Sequence, residues 1–172
     1  MHSKYSKMKD KIFEISYKHD ETEVWFRREI DDEGRLVSQE QTVSRWNGEF
    51  RVCYSLKRPE KIHSGEILYH VTLKENVPYI REHGLEPRIG DSYANHWLSF
   101  HKDVSLFDKL YPGVFLLSGK RICKRDTPGY KTVKVKVDDL DPNCLFVDDA
   151  WKDEKSLFYT KVIPPEKLII TR

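Results

Sequence analysis

Apolar and polar positions alternate through much of the first sixty residues, and the pattern there is that of a β meander. Glu23 to Ile30 reads as one strand, closed by the turn Asp31-Asp32-Glu33-Gly34. Arg35 to Trp46 alternates loosely, Asn47-Gly48 follows, and Glu49 to Leu56 reads as the returning strand. Asn-Gly between two such runs is a strong hairpin signal, because a type I′ turn needs positive φ at both central residues. Lys57-Arg58-Pro59-Glu60-Lys61, running on to Ser64-Gly65, breaks the alternation and serves as a connector.

Beyond the connector the character changes. Ile67 to Val71 is a short apolar strand, and Thr72-Leu73-Lys74-Glu75 matches a helix capping box. Pro78 belongs in a first helical turn, so the helix proper is expected from Asn76, with Thr72 to Glu75 as a preliminary turn. It runs through Ile80 and stops at Gly84, a residue suited to a left-handed helix end. His96 to Phe100 reads as a strand and His101 to Tyr111 as a second helix. Further strands are expected at Gly113 to Ser118, Tyr130 to Val137, Cys144 to Val147, Leu157 to Ile163 and Lys167 to Thr171. Strands outnumber helices, which predicts an α+β class. The natural division is a β-rich extension over 1–60 and a second domain over 61–172.

Composition narrows the picture. The chain has 172 residues, 38% apolar and 34% charged, with four Trp, nine Tyr and eight Phe. Aromatic residues at that level argue for a folded core despite the high charge. The formal net charge of +2 is too small to demand a nucleic-acid partner by bulk electrostatics. Cys53, Cys123 and Cys144 are odd in number and widely spaced, which suits free thiols in a reducing compartment. The polar, basic stretch from Met1 to Lys11 is unlike a signal peptide, and no run reaches the length of a membrane span. A cytoplasmic address is expected, with no membrane partner.

Candidate chemistry comes next. His63, His70, His83, His96 and His101 form no helical i, i+4 pair and no Cys/His ligand spacing, so no metal is expected. There is no Gly-rich phosphate loop and no Gly-x-Ser-x-Gly. The densest basic cluster is Lys120-Arg121, Lys124-Arg125 and Lys131, around a loop ending in Pro128-Gly129-Tyr130. It reads either as a solubilising loop or as a contact for the phosphates of a nucleotide or nucleic acid.

Three blocks carry a family resemblance. The first is Leu68-Tyr69-His70-Val71-Thr72 with Asn76-Val77-Pro78-Tyr79-Ile80 and His83-Gly84-Leu85-Glu86-Pro87. The second is His96 to Val104, and the third runs from Phe158 through Ile163-Pro164-Pro165-Glu166 to Leu168. Together they resemble the ADP-ribosyltransferase superfamily, in particular its His-Tyr-Glu branch, which includes the poly-ADP-ribose polymerases. Similar openings occur in bacterial toxins that ADP-ribosylate DNA and in RNA 2′-phosphotransferases.

The resemblance implies a split, bent β-sheet core with few helices, preceded by a small antiparallel meander, binding NAD in a cleft between His70 and Trp97. It implies mono-ADP-ribosyl transfer to a protein or nucleic-acid acceptor, or hydrolysis of NAD. His70 would hydrogen-bond a ribose hydroxyl, Thr72 and Ser99 would line the cofactor site, and Trp97 would stack on nicotinamide. The acid that stabilises the developing ribose cation would fall at Ser156, with Glu154 two residues earlier on the same strand face. Two other readings belong beside this one. In the first, the chain is a degenerate member that binds a nucleotide or macromolecule without turnover. In the second, it is an RNA 2′-phosphotransferase, for which Arg81 and Arg88 follow His70.

Overall fold

The computed structural model describes residues 11–19, 21–45, 51–59, 64–88, 111–118, 128–148 and 156–171. These are mostly antiparallel strand, with one short α-helix. The chain divides into two compact units, 1–58 with 89–112, and 59–88 with 113–172.

The first unit is a meander of β1 (Ile12–His19), β2 (Thr22–Ile30), β3 (Leu36–Arg45) and β4 (Arg51–Lys57), each antiparallel to the next. Alternation in β2 sends Val24, Phe26, Arg28 and Ile30 inward, leaving Trp25, Arg27 and Glu29 partly exposed. The register aligns Phe26 with Gln41 and Arg28 with Gln39, then slips between Glu29 and Ile30. The buried Arg28 guanidinium lies 5.9 Å from the centre of the Phe13 ring. The predicted turn after β2 forms. Asp31 accepts from the backbone N–H groups of Glu33 at 3.0 Å and Arg35 at 2.8 Å, and Gly34 takes φ +76°. Tyr111 belongs to this unit: its N–H donates to Gln39 Oε1 at 3.0 Å and its hydroxyl to the Gly34 carbonyl at 3.0 Å.

The second unit holds β5 (Ile67–Leu73), α1 (Val77–His83), β6 (Val114–Ser118), β7 (Tyr130–Lys136), β8 (Leu145–Asp148), β9 (Ser156–Tyr159) and β10 (Leu168–Ile169). Its strands run in the order β8-β9-β6-β5-β7-β10, every neighbour antiparallel. One sheet face carries Leu68, Val114, Leu116, Val133, Val135, Leu145 and Tyr159. It packs against Ile80 of α1 and against Leu85, Val137, Leu140, Cys144 and Ile163. Burial of these apolar side chains is the main force holding the unit together.

The reverse face divides in two. Over β8, β9 and β6 it is closed by Phe146 and Phe158, both fully buried, with Phe158 edge-on to Phe115 at 5.1 Å. Over β5, β7 and β10 it is open: Val71, Leu73, Tyr130 and Ile169 are each at least 40% exposed.

Several expectations are corrected in detail. The capping box at Thr72 does not form, because Thr72 still pairs with Lys131 and β5 runs on through Leu73. Leu73 starts a single 3₁₀ turn over Lys74–Asn76 with no side-chain cap, and α1 follows with Pro78 in its first turn. Gly84 ends the helix as expected, its N–H donating to the Ile80 carbonyl at 2.8 Å. Its φ of +81° and ψ of −169° are extended, however, not left-handed helical, a region that only glycine enters readily.

The strand expected over Leu157 to Ile163 stops at Tyr159. Ile163 instead exchanges two backbone hydrogen bonds with Leu85, both 2.9 Å. The last strand shrinks to Leu168–Ile169. The Asn47-Gly48 turn, the strand at His96 to Phe100 and nearly all of the helix from His101 to Tyr111 lie outside the described residues.

Candidate functional site

His70 stands at the middle of β5, where the sheet's pairing is lopsided. Toward β7 the ladder is complete, from Ile67 opposite Lys136 to Leu73 opposite Tyr130. Toward β6 only Leu68–Ser118 and Tyr69–Leu117 pair. Past Tyr69 the two strands part, and the His70 side chain bridges the gap, with Nδ1 2.8 Å from the Phe115 carbonyl oxygen.

That contact settles the ring's chemistry. A carbonyl can only accept, so Nδ1 carries the proton and donates. Burial pushes the imidazole below its usual pKa, the bond to Phe115 opposes the shift, and the positive charge of Arg88 adds to the lowering. The ring is therefore neutral at neutral pH, and its second nitrogen, Nε2, offers a lone pair. It suits an O–H donor, such as a sugar hydroxyl, better than an anion.

Arg88 is placed by the backbone. Its N–H donates to the Gly113 carbonyl at 3.1 Å and its carbonyl accepts from the Gly113 N–H at 3.3 Å, two residues before Phe115. The guanidinium lies 5.5 Å from the Tyr79 ring centre and 3.6 Å from Glu86, and the side chain is 62% exposed. Tyr79 in turn stacks on His83 at 4.1 Å and donates its hydroxyl to Glu86 at 3.1 Å. This outer cluster of α1 and the segment after it was not singled out in the sequence. The i, i+4 spacing of Tyr79 and His83 on one helix face was the available signal.

Thr72 is buried on the core face, and its Oγ1 accepts from Asn76 Nδ2 at 3.2 Å, which ties the end of β5 to the start of α1. Ser156 opens β9, buried, opposite Leu117 on β6 and Asp148 on β8. Because Leu117 is opposite Tyr69, Ser156 shares the face of Tyr69, while His70 belongs to the other face. The two are also separated by an intervening strand. Pairing thus brings His70 together with Phe115 and the Arg88 segment, and does not bring it beside Ser156. Glu154, Trp97 and Ser99 lie outside the described residues, as do the basic residues from Lys120 to Arg125. Among the described residues no cluster of His, Cys, Asp and Glu could hold a metal ion, and no helix is long and apolar enough to cross a membrane. No protein-family model, curated protein or solved structure matches the chain.

Proposed function

We propose that the protein binds NAD⁺ where β5 and β6 part and transfers ADP-ribose from it, to a macromolecular acceptor or to water. The observation that carries this reading is the state of His70: neutral, with Nδ1 committed to the Phe115 carbonyl and Nε2 held out as an acceptor. A ring so fixed orients a ribose hydroxyl without adding a positive charge to a sugar that must itself become cationic when nicotinamide leaves. Arg88, exposed on a neighbouring segment, supplies positive charge for the dinucleotide's phosphates. The resemblance of the Leu68–Thr72 and Ile163–Leu168 blocks to ADP-ribosyltransferases supports the same substrate.

One observation favours a second reading, in which the nucleotide is bound but not cleaved. The position where the resemblance puts the catalytic acid holds Ser156, buried on the face away from His70.

Incubation with NAD⁺ labelled in the nicotinamide ring, alongside calorimetric titration with NAD⁺, separates the two. Transfer or hydrolysis predicts nicotinamide release that falls roughly 100-fold or more in His70→Ala. Heat of binding that disappears in His70→Ala, with no release, selects the silent binder. No heat and no release with the intact chain would overturn both readings.

A further inference from the structure

The open half of the second unit's reverse face, over β5 and β7, has a composition that the site at His70 does not use. Strand alternation and the β5/β7 register put Tyr69 beside Lys134, Ile67 beside Lys136 and Leu73 beside Tyr130 on that face. Tyr130 is 43% exposed, and the Lys134 ammonium sits 5.8 Å from the centre of the Tyr69 ring. Among the described residues of β5, β7 and β10 that share the face, none is acidic. The sequence adds to the imbalance. From Lys120 to Lys136 the chain carries seven Lys or Arg and one carboxylate, Asp126. A protein with a net charge of only +2 therefore concentrates cations in the stretch that supplies this face.

We propose that this face is a docking surface for single-stranded nucleic acid. Exposed aromatic rings on a sheet, with ammonium groups between them, match the two needs of such a ligand, which are stacking for unpaired bases and cations for phosphates. Duplex offers no free base faces, and an acidic peptide would meet the lysines but make no use of the rings. Tyr130 and Tyr69 are on adjacent strands, offset by four residues, about 13 Å along the strand direction. One base does not span that distance, so the ligand is an oligonucleotide rather than a nucleotide. The surface is on the face opposite to His70 and does not depend on the NAD reading.

The test uses the full chain without NAD and a fluorescein-labelled mixed-sequence single strand, followed by anisotropy across a salt series. Binding is expected to weaken with salt, and Lys134→Gln with Lys136→Gln should flatten the log–log slope by about 1.4, at about 0.7 per phosphate released. Tyr130→Ala is expected to weaken binding roughly 5- to 150-fold, with Tyr130→Phe close to the parent. Thermal unfolding of each variant checks that the fold is intact, and His70→Ala is expected to bind the strand as the parent does. Affinity for duplex equal to that for single strand, or Tyr130→Ala binding like the parent, overturns the proposal. So does poly-glutamate displacing the strand at equal charge concentration, or an absence of binding at low salt.

Discussion

At the scale of single residues, His70 shows how a side chain's proton is placed by its neighbours. Its Nδ1 faces a backbone carbonyl, burial keeps the ring neutral, and the charge of Arg88 reinforces that. The consequence is a dependence of stability on pH. The native pKa is lowered from a free value of about 6.5, so above that pH neither state binds the extra proton. As pH falls below about 6.5 the unfolded chain takes up a proton that the native ring resists, and stability declines until the native pKa is passed. His70→Asn keeps an N–H aimed at Phe115 and removes the titration. Its urea midpoint is expected to change less between pH 7 and pH 5 than the parent's. Parallel midpoints across that range would show that His70 is not the group responsible.

At the scale of elements, α1 is too short to be stable by itself and is held at both ends. Pro78 and the Thr72–Asn76 hydrogen bond fix its start, while Gly84 and the Leu85–Ile163 bridge fix its end. A β-carbon on Gly84 would stand 2.1 Å from the Ile163 carbonyl oxygen, and the backbone there has φ +81°. Gly84→Ala is expected to cost roughly 2–5 kcal/mol, from strain and overpacking together, measured by chemical denaturation. A cost under about 1 kcal/mol would mean that the bridge yields easily. Elements of this kind were legible where one face is buried: β2 alternates cleanly because Val24, Phe26, Arg28 and Ile30 are all covered. β1 was not foreseen, since none of its described side chains is fully buried and its apolar residues, Ile12, Phe13 and Ile15, fall on both faces. The run from Leu157 to Ile163 read as one strand because both halves are apolar. Only the backbone shows that Ile163 pairs with Leu85 instead. The site was legible in part for a similar reason. His70 is visible as a histidine within an apolar strand, but its partner is a main-chain carbonyl, which leaves no mark in the sequence. The faces of Ser156 and His70 are opposite only because of a register that runs through Leu117 and Tyr69.

At the scale of the whole molecule, the chain leaves the second unit after Arg88 and re-enters it at Gly113, and those two residues are joined by a pair of backbone hydrogen bonds. Tyr111, just before the return, anchors itself to Gln39 and to Gly34 in the first unit. Tyr111→Ala is expected to destabilise that unit by about 3–5 kcal/mol and to speed amide exchange at Phe26 and Gln41. Unchanged exchange there would show that the meander holds without Tyr111. The Leu85–Ile163 bridge has a different consequence, which concerns time. Leu85 leaves the ribosome well before the residue that completes its hydrogen bonds. Roughly 78 residues separate them, about 4–16 s of synthesis at 5–20 residues per second. During that interval the end of α1 and the apolar face beneath it have no Ile163 to close against. The nascent chain is then most open to chaperones, and to aggregation if they fail to bind it.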